Sequence, residues 1–198
     1  MPFNWFDVLV VAVLIAGILV GRKRGMSQEL IGVLMWLSIA IGCAFLYEPL
    51  GTMIAQGSVF SQLSAYCMAY LGIGLLIATV FMLLKRAVGE KLVGSDAFGG
   101  SEFYLGMLGG MVRFACILIT VLALLNARSY TQAEVKAELN YQNDVYGSNF
   151  FPTLYTVQAQ VFEQSLIGPL IRQNLSMMLI KPTSPEKKQL KRKEIAYP

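Results

Sequence analysis

Long apolar runs, each closed by a short polar cluster, dominate this chain. Residues 8–20 contain no polar side chain. Residues 30–47 and 49–84 carry no charge, and between residues 103 and 127 the only charge is Arg113. Crossing the hydrocarbon core of a bilayer takes about 20 mostly apolar residues. The pattern therefore predicts four membrane-spanning helices. The first covers residues 5–21, with Asn4 and Asp7 forming a capping box at its start. The second covers 27–47 and stops at Glu48-Pro49. Residues 50–64 are apolar but rich in Gly, Ser, Thr and Gln, and predict a loop with a short interfacial or re-entrant piece. The third helix covers 65–84, a glycine-containing loop occupies 90–101, and the fourth helix covers 102–126.

Beyond residue 128 the pattern changes. Residues 131–140 are polar and predict a short helix outside the membrane, followed by a turn near Pro152. In residues 154–180, apolar positions such as Leu154, Val157, Val161, Leu170 and Leu175 alternate at helical spacing with Gln, Glu, Asn and Arg. That is too polar for a fifth span. It predicts amphipathic helices lying along the membrane or packed on the helical bundle. The reading is thus an all-α membrane protein: a four-transmembrane-helix bundle (1–127), an amphipathic helical segment at the membrane surface (128–181) and a basic disordered tail (182–198).

Composition agrees with the pattern. Of 198 residues, 56% are hydrophobic and only 14% charged, against roughly 25% charged in a soluble domain. The net charge of +4 is no nucleic-acid signal. It owes much to Lys187, Lys188, Lys191, Arg192 and Lys193 in the tail, which suit solvent or lipid head groups. There is no histidine, which removes histidine-based triads, metal ligands and proton switches. Cys43, Cys67 and Cys116 all fall in or beside apolar runs, without a CxxC spacing, and read as buried small residues. Gly99-Gly100-Ser101 lacks the Lys-Ser/Thr ending of a phosphate loop. No cofactor, no metal and no catalytic residue are expected, and the chain reads as a non-enzyme.

Orientation follows from the basic residues. Arg22, Lys23 and Arg24 follow the first helix; Lys85, Arg86 and Lys91 follow the third; the intervening loop has none. Short basic loops stay in the cytoplasm, so both termini are expected to face outward. Arg113 stands roughly 15 Å along the fourth helix. A lone arginine at mid-membrane costs about 2.5–3.5 kcal/mol on insertion scales and calls for compensation. Helix side chains lean toward the N-terminus, which makes Glu29 and Glu102 its candidate partners. Either a register-fixing ion pair or an ion or substrate path would explain it. Glycines recur at helical spacing, as Gly17, Gly21 and Gly25 and again as Gly106 and Gly110. Such positions let helices approach closely in lipid, within one chain or between copies in a homo-oligomer.

Three stretches resemble the colicin V production protein family (CvpA). They are Asn4-Trp5-Phe6-Asp7 before a short apolar helix; Arg22-Lys23-Arg24-Gly25 and then Ser27-Gln28-Glu29-Leu30 with Trp36 downstream; and Gly100-Ser101-Glu102 with Leu105-Gly106, Gly110 and Arg113. The resemblance covers residues 4–127. It departs at Phe103, where the family often has Arg, and at Phe114, where it has Gly. The resemblance implies a bacterial inner-membrane protein linked to toxin (colicin V) production or export and to envelope homeostasis, with no reaction attached to the fold. Membrane lipid and membrane or envelope proteins are the expected partners. The alternative reading is a small channel or transporter with Arg113 lining its path.

Overall fold

A computed structural model describes residues 3–93, 98–148 and 152–184. It is all-helical, with α1 (Trp5–Arg24), α2 (Met26–Gly57), α3 (Gln62–Val93), α4 (Glu102–Asn126), α5 (Gln132–Tyr146), α6 (Leu154–Phe162) and α7 (Ile167–Asn174). Four of these are long and apolar enough to cross a membrane. Their outer surfaces keep large side chains uncovered, among them Leu19, Leu75, Leu76 and Leu83. Exposure on this scale suits lipid rather than water.

α1 opens on a capping box in which the Asn4 N–H donates to Asp7 Oδ2 at 3.0 Å. It closes on Arg22, Lys23 and Arg24, whose charges complement the negative end of the helix dipole. Gly25 alone separates α1 from α2, at φ +74°, a backbone state that favours glycine.

α2 and α3 are longer than the pattern predicts. α2 does not stop at Glu48-Pro49: the helix continues through Pro49 to Gly57. Residues 50–57 are therefore helix rather than a re-entrant loop, and α3 begins already at Gln62. A proline lacks one helix hydrogen bond and normally breaks the run. Here the second half of α2 is held by α3. Tyr66 lies against Gly51, where a Cβ would collide with its ring, and Tyr47 stacks edge-on with Tyr66 at 5.6 Å. Lower down, the Cys43 thiol donates to the Tyr70 carbonyl at 3.4 Å. At its other end α3 runs on to Val93, so residues 90–93 are helix; residues 94–97 of the predicted loop lie outside the described residues.

The spans are not ordered as the chain runs. α1 packs on α4, α4 on α2, and α2 on α3, while α1 touches α2 little and α3 hardly meets α4. α3 is thus held on one side, by α2.

The C-terminal segment closes the end of the spans opposite Gly25. Val161, Phe162, Leu179 and Ile180 share one core with Phe6, Val10, Tyr47, Leu122 and Ala127. Residues 154–180 therefore pack on the end of the bundle. Asp7 is the main polar clasp. Its carboxylate is buried and accepts from the Leu166 and Ile167 N–H groups at 3.0–3.1 Å. Asn126 donates to the Ile180 carbonyl, and the Lys181 N–H donates to the Tyr47 hydroxyl. Lys181 Nζ also meets Glu48 at 2.7 Å. That hydrogen bond holds the Lys181 pKa above its ordinary value, so on the alkaline side the contact is lost only as pH rises past the usual lysine range. Thr183 pairs with Ala127 and Ser129, which orders the first residues assigned to the tail; residues 185–198 lie outside the described residues. α5, by contrast, buries no residue.

Asp7→Ala is expected to loosen this cap selectively. Hydrogen bonds to a charged group contribute about 1.5–3 kcal/mol. Amide exchange across residues 154–180 should quicken while α2 and α3 stay protected.

Candidate functional site: the polar cluster inside the spans

At the Gly25 end of the spans, three charged side chains meet among apolar helices. Glu29, in the first turn of α2, has no exposed surface. Its Oε2 receives a hydrogen bond from Arg113 Nη1 of α4 at 2.5 Å, and its Oε1 one from Arg24 Nη1 of α1 at 3.3 Å. One carboxylate thus joins three helices. Gly32, about one turn further along α2, lies beside the Arg113 side chain, which a Cβ there would touch at an ordinary contact distance of 3.4 Å. The guanidinium also stands 5.1 Å from the Phe114 ring centre, a cation–π contact that strengthens where water is scarce. Phe114, the departure from the family pattern, fits because Gly17 faces it: a Cβ there would come within 3.0 Å of Phe114 Cβ.

Glu102 is not the partner of Arg113. Its Oε1 accepts from the Ser27 N–H at 3.2 Å, capping an N-terminal amide of α2 that has no helical partner. Its side chain lies over Gly25, where a Cβ would sit 2.7 Å from Glu102 Cγ. The two candidate carboxylates divide the work, Glu29 neutralising Arg113 and Glu102 tying α4 to the turn.

The candidate packing glycines come together in one seam. Gly17, Gly21 and Gly25 of the α1 edge face Gly106 and Gly110 of α4. A Cβ at Gly21 would strike the Gly106 carbonyl, and one at Gly110 the Gly17 carbonyl. Backbone meets backbone here, as small residues permit in lipid. The seam is satisfied within one chain.

Of the topology-setting residues, Arg22, Lys23, Lys85 and Arg86 are exposed at this same end, with Arg24 half turned toward Glu29. Lys85 and Arg113 border a crevice of about 160 Å³ between α2, α3 and α4. Sequence reasoning missed the roles of Asp7 beyond its own cap and of Ser27. Only Asp7 carried a signal, as an acid at the edge of an apolar run.

Four membrane-length helices, an internal charge cluster and a glycine seam define a multi-pass α-helical membrane protein. Over residues 6–159 the chain matches the family described as colicin V production protein, and it belongs to that family. The match runs past residue 127, where the sequence motifs stop, through α5 and into α6. No curated protein and no solved structure matches it.

Proposed function

We propose that this chain is a non-enzymatic component of the bacterial inner membrane that supports colicin V-type toxin production or export and envelope homeostasis. Family membership supports this. So does one structural observation: the charged groups buried within the spans make contacts that join one helix to another. Glu29 and Arg113 tie α2 to α4, Glu102 ties α4 to the α1–α2 turn, and Asp7 and Asn126 hold the C-terminal cap. Such a scaffold acts by presenting surfaces to lipid and to membrane or envelope proteins. Deleting the gene in a toxin-producing strain should lower the toxin recovered in the medium, and full-length protein should restore it. Unchanged secretion in the deletion strain would count against the role.

In this reading Arg22, Lys23, Arg24, Lys85 and Arg86 hold the Gly25 end in the cytoplasm, and the capped end faces outward. Alkaline phosphatase fused after Asn140 should be active; an inactive fusion would invert the topology. A second reading, a small channel or transporter, draws on the crevice beside Arg113. Solute flux in liposomes that disappears in Arg113→Ala would support it.

A further inference from the structure

We propose that the crevice between α2, α3 and α4 is a binding site for the phosphate group of an anionic phospholipid, held by Arg113 and Lys85. The inference does not rest on the toxin-related role. It begins with charge. Arg24, Arg113 and Lys85 gather around this end of the spans, and Glu29 is the one carboxylate ion-paired among them in the described residues. Lys85 has no ion pair there, and Arg113 Nε is buried without a hydrogen-bond partner. Glu29 occupies only Nη1 of the guanidinium. The cluster therefore keeps surplus positive charge and an unspent donor. A phosphate group in the crevice supplies the missing counter-charge, since guanidinium and ammonium groups are the common phosphate binders.

Shape selects a lipid over a free ion. The crevice holds about 160 Å³, close to a cavity of about 150 Å³ that accepts benzene. That is room for a phosphate group and not for a whole lipid. Its remaining walls are apolar, with Met35 and Trp36 from α2 and Phe81 and Met82 from α3. α3 hardly meets α4, so the gap between these two helices opens sideways toward lipid. Met82 on that rim is 60% exposed. A phosphate drawn in from the leaflet leaves its acyl chains outside along α3 and α4, against surface that is already apolar. A hydrated inorganic phosphate would gain the same two cations but nothing from the apolar outer surface of α3 and α4.

Native mass spectrometry of the full-length protein tests this. It would be released from mixed micelles holding equal amounts of phosphatidylglycerol and phosphatidylcholine. The wild type should retain one phosphatidylglycerol in preference. Lys85→Gln, which breaks no ion pair, should weaken that retention about fivefold, the effect of one juxtamembrane cation. The paired variant Glu29→Gln with Arg113→Gln keeps side-chain volume and leaves no buried charge unmatched, and it should lose the preference. Excess inorganic phosphate should not displace the lipid. Equal retention of the two lipids, or undiminished retention in Lys85→Gln, would overturn the proposal. Displacement by inorganic phosphate would overturn its assignment to lipid.

Discussion

Gly21→Leu is expected to prevent α1 and α4 from docking, at a cost of about 3 kcal/mol or more. Inserting extra methylenes into a packed core usually costs about 1–3 kcal/mol, because neighbouring side chains can still shift. At Gly21 the obstacle is the Gly106 carbonyl, with the Gly110 Cα at 3.0 Å behind it. Backbone atoms of a helix move only if the whole helix moves. Even Gly21→Ala should destabilise, although alanine gains about 1 kcal/mol of helix propensity over glycine. Gly72→Ala is the control, since a Cβ there meets nothing within 4 Å. Thermal unfolding in detergent should separate them: Gly72→Ala at or above wild type, Gly21→Ala below it, Gly21→Leu unfolded or aggregated.

Glu29→Ala is expected to cost about 3–5 kcal/mol, the range for breaking one side of a buried ion pair. The loss comes less from the missing attraction than from Arg113, left charged and without its counter-ion among apolar helices. Arg24→Ala should cost no more than about 1 kcal/mol, as for exposed pairs generally, because the Arg24 side chain is 49% exposed and its contact is longer. Denaturant titration of the two variants in the same micelle would show the contrast. Equal losses would mean that Arg113 finds another partner.

The spans were legible because charge-free runs of this length have few alternatives in water. Their order was not. α1 and α2 are joined by one residue yet scarcely pack, and only the seam reveals that α1 seeks α4. Pro49 misled because its local effect is real but is outweighed by tertiary contact: Tyr66 of α3 braces α2 at Gly51, and nothing at the proline itself signals that contact. Arg113 pointed to a carboxylate because a buried cation demands one. It could not say which, and Glu102 was removed from contention by its place opposite Ser27. For residues 154–180, helical periodicity reports an apolar face but not what covers it. A bilayer and the end of a bundle look alike in sequence. The deciding residue was Asp7, some 160 positions earlier, and no local pattern links it to Ile167.

That α2 and α4 are clamped by one internal ion pair is best tested by a double-mutant cycle on Glu29→Gln and Arg113→Gln in unfolding titrations. Contacting charged residues couple by about 0.5–3 kcal/mol, while independent sites add to within about 0.3–0.5 kcal/mol. The structure predicts coupling near the top of that range, with the paired variant more stable than at least one of the singles. Additive losses would show that the two residues do not act on each other, and the clamp would have to be given up.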